Sequence, residues 1–201
     1  MAIELPELLV PSAAKWHEWL AGNHGASAGV WLVLAKKGPP GPTTLTYDEA
    51  LDEALCFGWI DGQVGRRDES TFRQRFTPRR RGSRWSQRNV GLVEGLSAAG
   101  RMQAAGLAEV EQAQLDGRWA AAYAGSATIE VPGELVAALA ASATAGAAFA
   151  ALDRQTRFSH LYRLQTAKRA DTRERLIATL VELLERGDGG GRPGRRPRAG
   201  R

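Results

Sequence analysis

The hydrophobic pattern of the chain changes near residue 86, and this change constrains the fold more than any other feature. Residues 30–35 are apolar at every position, as in a strand covered on both faces, and residues 71–77 alternate between apolar and polar side chains. After residue 86, apolar residues recur at helical spacing. Strands and helices do not alternate regularly, which disfavours a Rossmann fold. The pattern predicts an α+β fold, with a small, largely antiparallel sheet packed with helices in the N-terminal half and a helical C-terminal half.

Local signals predict where several helices begin. Ser12 and Ser86 precede apolar runs of helical period and are in place to act as N-caps. The pairs Thr46–Glu49 and Asp171–Glu174 have the spacing of a capping box. In this motif, the side chain of each residue accepts a hydrogen bond from the backbone N–H of the other. We therefore expect helices to begin at these four sites.

The chain length of 201 residues and a hydrophobic content of 43% suit one globular domain. We predict a single domain over residues 1–186, with a helical subregion at about 132–186. Residues 187–201 contain five arginines, one aspartate and many glycines and prolines. Such a segment lacks the apolar surface that would offset the entropy of ordering it, so we predict a disordered basic tail.

Positive charge is concentrated between residues 66 and 88, where nine arginines face two acidic residues. In this region, residues 58–64 and 71–77 read as a hairpin with Phe72 and Phe76 on one face and Arg73 and Arg75 on the other. The following segment, RRRGSRWS at residues 79–86, joins a strand end to a helix start and is called the arginine loop below. Arginine forks and a helix N-terminus both attract phosphate or carboxylate.

We accordingly predict an anion cradle at the hairpin and the arginine loop. Its candidate ligand-binding residues are Trp59, Asp61, Arg73, Arg75, Arg79, Arg80, Arg81, Ser83, Arg84, Trp85, Ser86 and Asn89. Trp85 is the candidate for stacking on a ring or for covering the arginines by a cation–π contact. Asp61 is an orienting acceptor beside the cradle.

A structural interpretation of the same residues stays open at this point. It makes Ser86 a helix cap, Trp85 and Trp59 core residues, and the arginines a solvated face. Asp61 would then form an ion pair with an arginine of the adjacent strand or with Lys168, Arg169 or Arg173, because buried charges are paired.

The sequence lacks the residues that a disulfide, a metal site or a serine-hydrolase active site requires. Cys56 is the one cysteine, so no internal disulfide is formed, and its apolar helical setting predicts a packing role. The three histidines are scattered, which argues against a metal site, and we predict no cofactor. No motif of a serine hydrolase is present. We assign no catalytic residue and favour a binding protein over an enzyme. The chain shows no signal peptide or membrane span, which predicts a cytoplasmic protein without membrane insertion.

Four segments resemble the YdeI/OmpD-associated family, also called the bacteriocin-protection family. They are ALCFGWIDG at 54–62, FTPRRRGSRWSQRN at 76–89, GRMQAAG at 100–106 and AKRADTRERLI at 167–177. The resemblance runs from about Trp16 to Glu185. It implies a fold and an association with envelope stress and resistance to antimicrobial peptides, and it implies no reaction. The chain departs from the family pattern in having Tyr162-Arg163-Leu164 before AKR.

Together these observations predict a non-catalytic, cytoplasmic, stress-associated protein that captures a phosphate-bearing ligand, with nucleic acid as the leading partner. Two alternatives remain. The first is a protein or enzyme that binds a phosphorylated small molecule in a pocket between the arginine loop and Asp61. The second is a protein-interaction module linked to envelope or antimicrobial-peptide stress.

Overall fold

The computed structural model describes residues 4–38, 40–167 and 169–189, and the chain divides into two units, Met1–Ala122 and Tyr123–Arg201. The basic tail from residue 190 onward and Lys168 lie outside the described residues. The α+β fold is confirmed. The prediction of a single domain over 1–186 stays a prediction.

The N-terminal unit contains a four-stranded sheet and four helices. In chain order these are β1 (Glu7–Leu8), α1 (Ala13–Asn23), β2 (Val30–Ala35), α2 (Tyr47–Cys56), β3 (Trp59–Arg66), β4 (Thr71–Pro78), α3 (Gln87–Ala98) and α4 (Ala104–Leu115).

Three helices of this unit begin where the sequence predicts. The Ser12 side chain accepts a hydrogen bond from the backbone N–H of Lys15 at the start of α1. Thr46 and Glu49 form a complete capping box at the start of α2, and Ser86 caps α3. Each cap satisfies a backbone donor that has no partner inside the helix.

The strand order is β1-β2-β4-β3, with β1 parallel to β2 and the other two pairings antiparallel. The predicted hairpin is confirmed as β3 and β4. Their pairing contains an irregularity between Asp61 and Val64, which fits the loose, glycine-containing sequence there.

One sheet face packs on the helices, because alternate residues of a strand point to opposite faces. Leu32 and Phe76 are buried on this face against Trp16 and Leu51 of α1 and α2. The opposite face, called the outer sheet face below, carries Glu7, Trp31, Val33, Arg73 and Arg75, as the strand register requires.

Helix α4 approaches the end of α2 at Gly106. A Cβ on Gly106 would lie 2.2 Å from the carbonyl oxygen of Cys56, so only glycine fits at this contact. The backbone N–H of Gln103 donates to the same oxygen at 3.0 Å.

The C-terminal unit is helical. It contains α5 (Gly133–Ala140), α6 (Ala143–Ala151), α7 (Arg154–Gln165) and α8 (Ala170–Glu185). Its core includes Leu135, Phe149, Leu161, Leu180 and Leu184.

The expected capping box at Asp171–Glu174 is wrong. Helix α8 begins at Ala170 after Arg169, and no side chain caps it. Asp171 lies one residue inside the helix, where its carboxylate accepts from the Thr172 N–H and pairs with Arg169. Among the residues that the structure describes, no helix is long and apolar enough to cross a membrane.

Candidate anion-binding surface

The arginine loop has a fixed backbone. The Arg79 N–H donates to the carbonyl of Gly58 at 3.0 Å, and the Ser83 N–H donates to the carbonyl of Arg80 at 2.8 Å. Gly82 has a φ of +84°, a conformation that favours glycine. The loop is therefore a tight, hydrogen-bonded turn that leaves β4 and enters α3.

Arg79 and Trp85 form the interior of this turn. The guanidinium carbon of Arg79 lies 3.5 Å from the centre of the Trp85 ring, and Arg79 Nη1 donates to the carbonyl of Arg84 at 3.2 Å. Arg79 is only 6% exposed and Trp85 only 2%. The Trp85 ring packs against Trp119 at 4.8 Å between centroids. The prediction that Trp85 stacks on a ligand ring is wrong because the faces of the Trp85 ring are covered. Arg79 is buried and makes contacts within the loop, so it does not belong to the exposed surface.

Ser83, Ser86 and Asn89 also hold the turn together. The Ser83 hydroxyl accepts from the Arg80 N–H at 2.9 Å, and the Ser86 hydroxyl accepts from the Asn89 N–H at 3.1 Å. Arg118 Nη1 donates to the carbonyl of Ser83 at 2.8 Å. Ser86 therefore caps α3, as the structural interpretation predicts. Ser83 and Asn89, which are also predicted ligand residues, make contacts within the turn.

Three arginines of the loop are exposed: Arg80, Arg81 and Arg84. They are carried by a backbone that the contacts above hold in place. Their ordering on ligand binding therefore costs side-chain entropy but little backbone entropy.

The outer sheet face supplies two more arginines. Arg73 and Arg75 are half-buried, with their Nε atoms covered. The guanidinium carbon of Arg73 lies 5.0 Å from the centre of the Trp31 ring. Their side chains run over glycines of β3, since a Cβ on Gly65 would lie 2.9 Å from Arg73 Nε. The two arginine stems therefore lie flat along the sheet.

Acidic residues compensate only part of this charge. Glu7 forms ion pairs with Arg67 at 2.9 Å and with Arg73 at 3.8 Å. Among the described residues, no carboxylate oxygen lies within 4.0 Å of the charged nitrogens of Arg75, Arg80 or Arg81. Their charge is available to an anion from solution.

Asp61 belongs to a different cluster. It accepts a hydrogen bond from the Tyr47 hydroxyl at 2.9 Å, and Arg88 donates to the same hydroxyl at 3.4 Å. Burial raises the pKa of Tyr47 to about 12, and the charge of Asp61 adds to this effect. The phenol therefore stays protonated and remains a donor to Asp61.

The expected ion pair of Asp61 with an arginine of the adjacent strand is wrong, because Phe76 stands opposite Asp61 on β4. Arg169 and Arg173 form ion pairs with Asp171 and Glu134 instead.

Trp59 is a core residue. It is 1% exposed, and its Nε1 donates to the carbonyl of His24 at 3.1 Å. The predicted role in ligand binding is corrected for the same reason as that of Trp85, because no face of the ring reaches solvent.

Trp31 and Tyr47 were not predicted as site residues. They lie in a predicted strand and a predicted capped helix, but their contacts with Arg73 and Asp61 join residues that are distant in the chain. The alternation of apolar and polar residues in a strand predicts which sheet face each side chain is on. The register that places Trp31 opposite Arg75 depends on how β2 pairs with β4, which the sequence of either strand does not show.

Cys56 is buried, and burial raises the pKa of its thiol to about 11. A thiol in this state is a poor nucleophile. Within the described ranges, no group of three or more His, Cys, Asp and Glu residues is arranged to hold a metal ion.

Comparison with known families divides the chain in two. Residues 8–109 match the model of a family described as Domain of unknown function (DUF8412). Residues 128–187 match the family described as Bacteriocin-protection, YdeI or OmpD-Associated, which confirms the resemblance but over a shorter range than about 16–185. No curated protein and no solved structure gives a significant match.

Proposed function

We propose that this chain, which belongs to the family described as Domain of unknown function (DUF8412), binds a phosphate-bearing polyanion through its N-terminal unit. The proposed partner is single-stranded nucleic acid. The chain continues into a segment that matches the YdeI/OmpD-associated family. The binding surface combines the outer sheet face and the arginine loop. In this proposal the protein is a binding protein and catalyses no reaction.

The observation that supports this proposal most is the continuity of the charge along one rigid segment. Arg75 lies on β4, and the strand runs directly into the loop that carries Arg80 and Arg81. None of these three arginines is neutralised by a carboxylate of the described residues, as noted above. A surface of fixed, uncompensated arginines binds phosphate with little reorganisation.

The spacing of the arginines favours a polymer over a small anion. A strand rises about 3.4 Å per residue, so the distance from Arg73 to the end of β4 at Pro78 is about 17 Å. One small phosphate contacts only a part of such a row, whereas a nucleic-acid backbone carries a phosphate at each nucleotide along it. Asp61 hydrogen-bonds Tyr47, which leaves the alternative of a small-anion pocket between Asp61 and the arginine loop without a specific observation in its favour.

Trp31 supports single-stranded nucleic acid in particular. Its half-buried ring lies beside Arg73 on the outer sheet face, and aromatic rings and guanidinium planes are the groups on which unpaired bases stack. In a duplex, those base faces are covered by stacking on the neighbouring base pairs.

Fluorescence anisotropy with a labelled oligothymidylate of about 20 nucleotides at about 50 mM salt tests the proposal. The double variant Arg80→Gln/Arg81→Gln should weaken binding about tenfold. The matched control is Arg169→Gln/Arg186→Gln, which removes the same charge from exposed positions of the C-terminal unit. Undetectable binding by the unmodified chain, or equal weakening by both double variants, would overturn the proposal.

Trp31→Leu separates base stacking from general polyanion binding. It should weaken binding to the oligothymidylate and leave binding to heparin unchanged, because heparin carries charge without bases. Equal effects on the two polymers would reduce the partner to an unspecific polyanion.

The proposal also includes a cytoplasmic location. It further includes a role under envelope or antimicrobial-peptide stress, which the family description suggests. Cell fractionation tests the first part. Survival of a deletion strain under an antimicrobial peptide, with complementation by the Arg80→Gln/Arg81→Gln variant, tests whether binding serves the second.

A further inference from the structure

A cavity of about 320 Å³ lies in the C-terminal unit, beside the first turns of α7. Its volume is within the range of small-molecule sites. Its lining includes the apolar side chains Ile129, Val131, Leu152 and Leu161 and the charged side chains Arg154 and Arg157. The cavity therefore combines an apolar wall with two cations.

Contacts with the end of α6 hold Arg157 in place. Arg157 Nη2 donates to the carbonyls of Ala150 at 2.8 Å and Phe149 at 3.3 Å, and the guanidinium lies 5.3 Å from the centre of the Phe149 ring. These bonds use one nitrogen. Nε is covered and has no hydrogen-bond partner among the described residues. Arg157 is thus a fixed guanidinium whose donors are only partly used.

Arg154 stands three residues before Arg157 on α7 and is exposed. Like charges at this spacing lie side by side on a helix and repel each other. The cavity lining contains no acidic side chain, and the carboxylate of Asp153 is occupied by the N–H and hydroxyl of Thr156. The pair of arginines has no carboxylate partner among the described residues, so an anion bound between them would relieve the repulsion.

We propose that this cavity binds a small amphipathic monocarboxylate, with its apolar body against Ile129, Val131 and Leu161 and its carboxylate on Arg154 and Arg157. Burial of the apolar body supplies affinity, and the arginines select for the negative head group. This inference concerns the C-terminal unit and is independent of the polyanion surface.

Titration calorimetry on the full chain with sodium decanoate tests the site, below the concentration at which decanoate forms micelles. Acetate offers the head group without the apolar body, and decylamine offers the same body with the opposite charge. We expect saturable binding of one decanoate per chain and no saturable binding of the other two. The proposal is overturned if decanoate gives no saturable binding or if decylamine binds as well.

Two exposed arginines of α7 provide the matched variants. Arg154→Gln should weaken decanoate binding about tenfold, because it removes a charged donor from the site. Arg163→Gln removes the same charge from a position outside the lining and should leave the affinity unchanged. Equal affinities in the two variants would contradict the proposed placement of the carboxylate.

Thermal unfolding identifies the unit that binds. All six tryptophans lie at or before residue 119, so tryptophan fluorescence follows the N-terminal unit, whereas far-UV circular dichroism also includes the C-terminal helices. Decanoate should raise the unfolding temperature seen by dichroism and leave the tryptophan transition unmoved. A rise in the tryptophan transition alone would place the binding elsewhere and overturn the proposal.

Discussion

The guanidinium of Arg79 lies 3.5 Å from the centre of the Trp85 ring, and both side chains are buried. This contact explains how a loop with four arginines keeps one shape. One arginine packs inside the loop on an aromatic ring and bonds the Arg84 carbonyl, while Arg80, Arg81 and Arg84 remain exposed.

Arg79→Ala should therefore destabilise the N-terminal unit by about 2 kcal/mol, because it leaves a cavity over Trp85 and an unbonded carbonyl. Arg81→Ala, on the same loop but exposed, should change stability by no more than about 0.5 kcal/mol. Urea unfolding followed by tryptophan fluorescence measures both. Equal stability of the two variants would show that the Arg79–Trp85 contact contributes nothing.

Glycine 106 offers a second test of packing. Gly106→Ala should destabilise the protein by about 1–3 kcal/mol, because the new Cβ would meet the Cys56 carbonyl at 2.2 Å and the helices must separate. Gly95→Ala, in the exposed interior of α3 with nothing within 4 Å, should be neutral or stabilise by up to about 1 kcal/mol. Unfolding midpoints that move in the same direction would contradict the close approach of α4 to α2.

The thiol of Cys56 should react slowly in the native protein. Burial raises its pKa to about 11, so almost none of it is thiolate at neutral pH, and the side chain is inaccessible. A colorimetric disulfide reagent should label it only after denaturant is added. Rapid labelling of the native chain would mean that the end of α2 is open and would contradict the packing role of this cysteine.

The C-terminal unit should lose stability in mild acid. Burial lowers the pKa of His160, and the side chain contacts the carbonyl of Gly189 at 3.3 Å. The folded state therefore binds a proton less readily than the unfolded state, whose histidine titrates near the ordinary value of 6.5. The stability is present above that pH and falls as the pH decreases below it. Dichroism-detected unfolding between pH 8 and pH 5 should show this slope for the unmodified chain and a smaller slope for His160→Gln; identical slopes would exclude His160 as its source.

Capping at the start of the N-terminal helices was predictable from the sequence because each cap joins neighbours in the chain. Thr46 and Glu49 are three residues apart, and their bonds need no tertiary contact. The same reasoning failed at Asp171, where Arg169 pairs with the carboxylate and the helix starts at Ala170, two residues before the start that a cap at Asp171 would give. A local signal locates a helix end within a residue or two but does not fix which side chain caps it.

The candidate site was predictable only in part. The positions of Arg73, Arg75, Arg80 and Arg81 follow from strand alternation and from the loop composition. The burial of Arg79 against Trp85, which in turn packs on Trp119, could not be predicted in this way. Trp119 lies 34 residues after Trp85 in the chain, and their contact depends on how the loop meets the turn after α4. The partner of Asp61 likewise comes from α2 rather than from the adjacent strand.

The salt dependence of oligothymidylate binding tests the central claim most directly, since it counts the phosphates that the surface neutralises. For single strands, the logarithm of the binding constant falls by about 0.7 per phosphate contact for each tenfold rise in salt. The unmodified chain should give a steep slope, and Arg80→Gln/Arg81→Gln should reduce that slope by about 1.4. A slope that is flat in the unmodified chain, or unchanged in the double variant, would contradict a polyanion surface at the arginine loop.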